Sequence, residues 1–236
     1  MGSMKDTSLA ANPYIQLVIF DCDGVLIDSE ILCKRVLISM LSELSVKIDG
    51  NYFDTYFLGK SYESAKEQVS DDFGVILPDA FRDNYWEALQ VVFAKALMPT
   101  KGLEDILQRL AVRKCIATSS HPERVAFSLT TTGLDTLFNS DVTTSSEVAR
   151  GKPAPDIFLL AAKKMGVAPE HCLVIEDSDA GIIGAINAGM SVVKYTGASH
   201  LQKNQPSGFE NVPMIDNWCE LPNLYPSIFK VALSEG

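Results

Sequence analysis

Two aspartates stand two positions apart in Asp21-Cys22-Asp23-Gly24-Val25-Leu26-Ile27-Asp28-Ser29, directly after the apolar run Leu17-Val18-Ile19-Phe20. If the extended backbone continues past Phe20, Asp21 and Asp23 point to the same side. A carboxylate can attack phosphorus and form an acyl phosphate. A second carboxylate beside it can protonate the leaving oxygen and later activate water. Gly24 permits a sharp turn and close approach of a ligand. The D-x-D-G pattern also resembles a fragment of a calcium loop, but no glutamate follows at EF-hand spacing between helices.

Three further segments offer groups that such chemistry needs. Thr118 and Ser119 end the run Lys114-Cys115-Ile116-Ala117 and supply a hydroxyl and an amide for phosphate oxygens. Lys152 lies in Gly151-Lys152-Pro153-Ala154-Pro155, where a glycine and two prolines constrain the backbone around one cation. That cation could offset repulsion between a carboxylate nucleophile and an incoming phosphate. Glu176 and Asp177 end the run Cys172-Leu173-Val174-Ile175 and are hard oxygen ligands of the kind Mg²⁺ takes. Each segment alone has an ordinary reading as a polar turn, a surface lysine or acid at a helix start. Their repetition at strand ends is what carries weight, because open α/β sheets bind ligands at the carboxyl ends of their strands.

The elements that would position these groups are legible in the hydrophobic pattern. Four short apolar runs without alternation, at Leu17–Phe20, Lys114–Ala117, Cys172–Ile175 and Ser191–Tyr195, read as strands buried on both faces of a parallel sheet. Helical periodicity over Asp156–Met165, begun by Pro155, and over Asp179–Ala188 separates the later runs. Ser178 reads as an N-cap and Gly189 as a C-terminal stop. Strand alternating with helix implies a doubly wound parallel sheet. Between Ser29 and Met98 the pattern is helical only, with helices expected at Ile31–Leu44, Tyr62–Phe73 and Ala80–Ala96. The expected organisation is an α/β core of residues 14–28 and 99–236 with a helical insertion at 29–98.

Composition bounds the function classes. The 236 residues are 47% hydrophobic, too apolar for a disordered chain. A formal charge of -10, from 20 basic and 30 acidic residues, argues against nucleic acid and anionic membrane as partners. No apolar run approaches the ~20 residues of a membrane span. Met1-Gly2-Ser3 lacks the apolar stretch of a leader and reads as a scar before the natural start at Met4. Five scattered cysteines without a CxxC pair suggest a reduced, cytoplasmic protein without a zinc site.

The motifs FDCDGVLIDSE, KPAPDIF and IEDSDAGI together resemble the haloacid dehalogenase (HAD) superfamily, in its β-phosphoglucomutase-like and phosphoglycolate phosphatase-like subgroup. The resemblance runs from Ile15 to Tyr225. It implies a Rossmann-like core with an inserted helical cap. It also implies Asp21 as nucleophile and Asp23 as general acid/base. Mg²⁺ would be held by the Asp21 and Asp177 carboxylates and the Asp23 carbonyl, with Glu176 in support. Thr118, Ser119 and Lys152 would hold the phosphoryl group beside Gly24. The expected reaction is hydrolysis of a small phosphorylated metabolite such as a sugar, polyol or sugar-acid phosphate, by a monomer or homodimer. A sugar-phosphate mutase is the alternative, but Cys33 stands where that pattern carries a histidine. Tyr62 stands where it carries a cap arginine, and Lys60 is the substitute considered for substrate binding. A phospho-accepting receiver is a more distant reading, because a receiver lacks both an acid/base at Asp23 and the helical insertion. The aromatics Phe81, Tyr85 and Trp86 read as cap packing, and His121 and His171 as surface residues.

Overall fold

The computed structural model describes residues 14–58, 62–138, 141–201, 208–209 and 211–230. In chain order the elements are β1 (Leu17–Phe20), α1 (Glu30–Glu43), α2 (Gly50–Tyr56), α3 (Tyr62–Phe73), α4 (Phe81–Ala96) and α5 (Leu103–Arg109). Then come β2 (Arg113–Thr118), α6 (Pro122–Thr132), α7 (Asp135–Phe138), β3 (Val142–Thr144) and α8 (Asp156–Met165). The chain closes with β4 (Cys172–Glu176), α9 (Asp179–Asn187), β5 (Ser191–Tyr195), β6 (Met214–Ile215) and α10 (Leu221–Leu224).

The six strands form one sheet in the order β3-β2-β1-β4-β5-β6, with every pairing parallel. The chain runs outward from β1 to one edge, then returns to β4 on the other side. This reversal opens a crevice at the carboxyl ends of β1, β2 and β4, the usual ligand position in such sheets. Successive strand residues face opposite layers. Leu17, Ile19, Cys115, Ala117, Cys172 and Val174 pack with Ile157, Phe158 and Ala161 of α8 and Ile182 and Ala185 of α9. Val18, Phe20, Ile116, Leu173 and Ile175 pack on the other face with Leu103, Ile106, Val125 and Trp218. Both faces are thus covered, which is why these strands show continuous apolar runs.

The insertion between β1 and β2 contains four helices among the described residues. Its tip has its own apolar cluster of Leu41, Val46, Phe53, Phe57, Val69, Leu77 and Phe81. Its base does not: Leu32, Cys33 and Val36 of α1 and Leu89 and Phe93 of α4 join the cluster over the sheet. The two connections run side by side, Ile27 bridging Pro99 and the Asp28 amide donating to the Met98 carbonyl at 3.0 Å.

Elements that the hydrophobic pattern does not mark are β3, β6, α2, α5, α6, α7 and α10. Strand β3 is Val-Thr-Thr and β6 has two residues, so neither offers an apolar run. Each lies at an edge of the sheet and is held by backbone pairing to a single neighbour. Helix α2 is seven residues long and begins because the Asp49 carboxylate accepts from the Tyr52 amide at 2.8 Å. No helix of the described residues is long and apolar enough to cross a membrane.

Candidate active site

The segment after β1 turns back on itself at once. The Cys22 carbonyl accepts from the Leu26 and Ile27 amides, and the Gly24 amide donates to the Ile27 carbonyl at 2.8 Å. Gly24 has φ +79°, and a Cβ built there would fall on the Asp177 Oδ2 atom. The turn therefore needs glycine twice over, for its backbone and for the space the carboxylate fills. Buried Thr100 fixes the far side of the turn. Its hydroxyl donates to the Val25 carbonyl at 2.6 Å and accepts from Trp218 Nε1 at 2.9 Å.

This turn presents Asp21 at the end of β1, flanked by β2 and β4. Lys152, only 5% exposed, reaches in from the segment before α8, whose Lys152–Pro153 peptide is cis. Its ammonium donates to Asp21 Oδ1 and Glu176 Oε1, both at 2.6 Å, and to the Ala117 carbonyl at 3.1 Å. Glu176 is fully buried, and its other oxygen accepts from the Ser178 amide and hydroxyl at 2.9 Å. Its carboxylate occupies the space that a side chain at Gly181 would fill. The Ser178 hydroxyl also accepts from the Gly181 amide at 3.1 Å, so it caps α9 as the sequence suggests. With both oxygens engaged, Glu176 orients Lys152.

Asp21, Glu176 and Asp177 are buried and can bring one carboxylate oxygen each within 4.8 Å of one another. Burial raises Asp21 well above the ordinary carboxylate range; Lys152 opposes this, while Glu176 and Asp177 add to it. Asp177 is likewise raised, first by burial and then by Glu176. Three buried carboxylates share one lysine here, so the cluster is short of positive charge. All-oxygen donors of this kind suit a hard divalent cation, and the residues fit one.

Asp23 has different surroundings. Its Oδ1 accepts from Ser29 at 2.5 Å and from Arg124 at 2.6 Å, and its Oδ2 accepts from Ser120 at 2.5 Å. Burial alone would raise its pKa, but the Arg124 guanidinium and the two hydroxyls outweigh it and hold the carboxyl below its ordinary value. The two aspartates are thus shifted in opposite directions, Asp21 up among buried carboxylates and Asp23 down beside Arg124 and two hydroxyls.

Thr118 is buried at the end of β2, its hydroxyl accepting from the Ser120 amide at 3.1 Å. Ser119 beside it is exposed, and its carbonyl accepts from Ser145. Lys60, considered for the substrate, lies outside the described residues, as does Met4. Tyr62 begins α3 with the Arg82 guanidinium over its ring at 5.6 Å. Phe81 packs in the insertion's tip, Tyr85 donates to the Cys33 carbonyl at 3.4 Å, and Trp86 meets Phe127 of α6 edge-on. His121 is exposed at the start of α6, and His171 is half-buried against the Tyr14 ring.

Sequence reasoning passed over Ser29, Ser120, Arg124 and His200. His200 is the largest surprise: its side chain is 3% exposed and its Nε2 lies 3.3 Å from Asp177 Oδ2. A histidine in a polar loop after β5 carries no local sign of burial. Asp28 draws that loop in by accepting from the Ser199 amide and hydroxyl at 3.1 and 2.8 Å. Arg124 lies in the first turn of α6, a helix the hydrophobic pattern does not mark, so nothing in the pattern places it beside the β2 end.

Comparison with known proteins agrees with this geometry. A family model described as haloacid dehalogenase-like hydrolase matches residues 15–189. The chain is 27% identical over 212 residues to 6-phosphogluconate phosphatase of Escherichia coli, covering 89% of this chain and 95% of that protein. It is 33% identical over 195 residues to (DL)-glycerol-3-phosphatase 2 of Arabidopsis thaliana, covering 75% of this chain and 77% of that one. Among solved structures, a conserved haloacid dehalogenase-like protein of unknown function from Agrobacterium tumefaciens superimposes with a TM-score of 0.78 at 32% identity. The match covers 90% of this chain and 98% of that one.

Proposed function

The chain belongs to the haloacid dehalogenase-like hydrolase family and is a phosphoric monoester hydrolase, and from that premise we propose that it is a Mg²⁺-dependent phosphatase of small phosphorylated metabolites. Its substrate is a sugar, polyol or sugar-acid phosphate, and its intermediate is a phosphoryl group on Asp21. The observation that carries this reading is Asp21 held by Lys152 within a buried three-carboxylate cluster, two positions from an Asp23 held by Arg124, Ser29 and Ser120. The relatives named for 6-phosphogluconate and glycerol 3-phosphate support the substrate class.

In this reading Asp21 and Asp177, with the Asp23 carbonyl, hold the cation, and Glu176 supports them through Lys152. The bound cation supplies charge neutralisation at the phosphoryl oxygens. Lys152, the Thr118 hydroxyl and the Ser119 amide bind those oxygens and align phosphorus with Asp21. Asp21 attacks in line, the bond from phosphorus to the leaving oxygen breaks, and Asp23 delivers a proton to that oxygen. Asp23 then takes a proton from water as the water oxygen attacks the phosphorus. The bond from phosphorus to Asp21 breaks, inorganic phosphate leaves, and the carboxylate is restored. Arg124, Ser29 and Ser120 favour the charged form of Asp23, which is the form the second step uses.

The insertion at 29–98 is the cap in this reading. It excludes bulk water and reads the leaving group. Cys33 weighs against the mutase alternative. Burial pushes its thiol up to about 12, so at neutral pH it is an uncharged group beneath the cap. We place the protein in the cytoplasm.

The test is phosphate release from a panel of sugar, polyol and sugar-acid phosphates with and without Mg²⁺. Turnover that requires the metal supports the reading. Silence across the panel by folded protein, with isomerisation of a sugar monophosphate in the presence of the sugar bisphosphate, would move it to the mutase.

A further inference from the structure

Arg124 is the one charged side chain among the described residues seen to touch both Asp23 and two helices of the insertion. Its guanidinium donates to Asp23 Oδ1 at 2.6 Å and to the Cys33 sulfur of α1 at 3.3 Å. The same group lies over the Phe93 ring of α4, 5.6 Å from its centroid. Both hydrogen bonds come from Nη2, and Nε is buried without a hydrogen-bond partner. A guanidinium is planar and rigid, so its hydrogen bonds and its ring contact fix one another's direction. Beside it, Trp86 of α4 meets Phe127 of α6 edge-on at 5.7 Å between centroids. Helix α6, which carries Arg124, therefore packs directly against the insertion.

These contacts have unequal strength. The Asp23 bond joins two opposite charges at 21% and 14% exposure, so it is screened little by solvent. The sulfur is a weak acceptor, and the ring contact is a weaker attraction than a hydrogen bond between opposite charges. Asp23 therefore determines where the guanidinium goes, and the α1 and α4 contacts determine how it is turned. Moving α1 and α4 away removes the second set and leaves Arg124 free to swing against an Asp23 carboxylate that also accepts from Ser29 and Ser120.

We propose that Arg124 is a positioning residue that couples the insertion to the general acid/base: it aligns the Asp23 carboxylate for proton transfer while α1 and α4 lie against α6. The proposal rests on the phosphatase reading of Asp21 and Asp23 and adds a residue to it. It concerns the direction of Asp23, and so it predicts a dependence on how much the leaving oxygen needs a proton. An alkyl alcohol leaving from a sugar phosphate needs one. The nitrophenolate of p-nitrophenyl phosphate leaves without one.

The experiment measures single-turnover release of the leaving group, which reads the first half-reaction alone. It compares the unsubstituted enzyme with Arg124→Met, Arg124→Lys and Phe93→Leu, on the best sugar phosphate and on p-nitrophenyl phosphate, all with Mg²⁺. Arg124→Met is expected to slow the sugar phosphate by about 10–100-fold, with half-saturation within about twofold, and to slow p-nitrophenyl phosphate far less. Arg124→Lys keeps the charge beside Asp23 and should recover part of the loss. Phe93→Leu leaves the Asp23 contact intact and should give a smaller loss with the same preference between the esters. Equal losses on both esters, no loss on either, or a change in half-saturation alone would overturn the proposal. Melting curves identify a variant that has lost its fold, and Phe93→Leu then decides the matter. If the unsubstituted enzyme releases neither leaving group, the phosphatase reading falls, and this one with it.

Discussion

At the scale of single residues, burial and pairing give chemically similar groups different tasks. Asp21 and Asp23 are the same residue two positions apart, yet one is raised by burial and the other held down by Arg124 and two hydroxyls. Gly24 and Gly181 matter because carboxylates occupy the space their side chains would take. Gly24→Ala tests this directly. The added methyl meets Asp177 Oδ2 and the residue keeps a positive φ, so stability should fall by more than about 1 kcal/mol. Mg²⁺ affinity should fall with it. Chemical denaturation and calorimetric Mg²⁺ titration of the variant check both; an unchanged Mg²⁺ affinity would mean that Asp177 has room to move. The types and spacing of Asp21, Asp23, Glu176 and Asp177 were readable because they follow apolar runs at the break into a turn, and Lys152 because a glycine and two prolines surround it. Arg124 and His200 were not, because their places depend on how α6 and the loop after β5 fold back over the site.

At the scale of elements, the site depends on how strand ends are braced from behind. The relay from Trp218 Nε1 through Thr100 to the Val25 carbonyl ties the last part of the chain to the turn that carries Asp23. All of it is buried. Thr100→Val keeps the shape and removes the hydroxyl, leaving an indole N–H and a carbonyl without partners. The expected cost is about 1–3 kcal/mol in denaturant unfolding. A loss below about half a kcal/mol would show that the turn holds without this relay. The buried strands were legible because both faces of a parallel sheet demand apolar residues. Helix α3 was legible to the residue, and α1, α4 and α9 to within one residue at each end. The edge strands β3 and β6 were not, since backbone pairing to a neighbour leaves little trace in side-chain pattern. Short α2 and α5 each have seven residues, too few to establish a period.

At the scale of the whole molecule, a chain with a formal charge of -10 concentrates buried acid at the one place where an anionic substrate must bind. Lys152 offsets part of that charge locally, and a divalent cation held by the same carboxylates would offset the rest, whatever the net charge elsewhere. The family was legible from three short motifs because two end strands of one sheet and the third leads into α8 beside them, so the spacing between them reports the fold. The leaving group was not, since the insertion meets the site through α1 and α4, helices that lie far apart in the sequence. The central claim is that Asp21 becomes phosphorylated during turnover. The most direct measurement is intact-mass and peptide analysis of enzyme quenched in acid during a single turnover with Mg²⁺ and a substrate. One added phosphoryl group on the peptide containing Asp21, rising and decaying with phosphate release and absent from Asp21→Asn, is the predicted result. The same variant should lose at least about a thousandfold in rate. Turnover with no phosphoryl group on that peptide, or an Asp21→Asn variant that turns over near the normal rate, would contradict it.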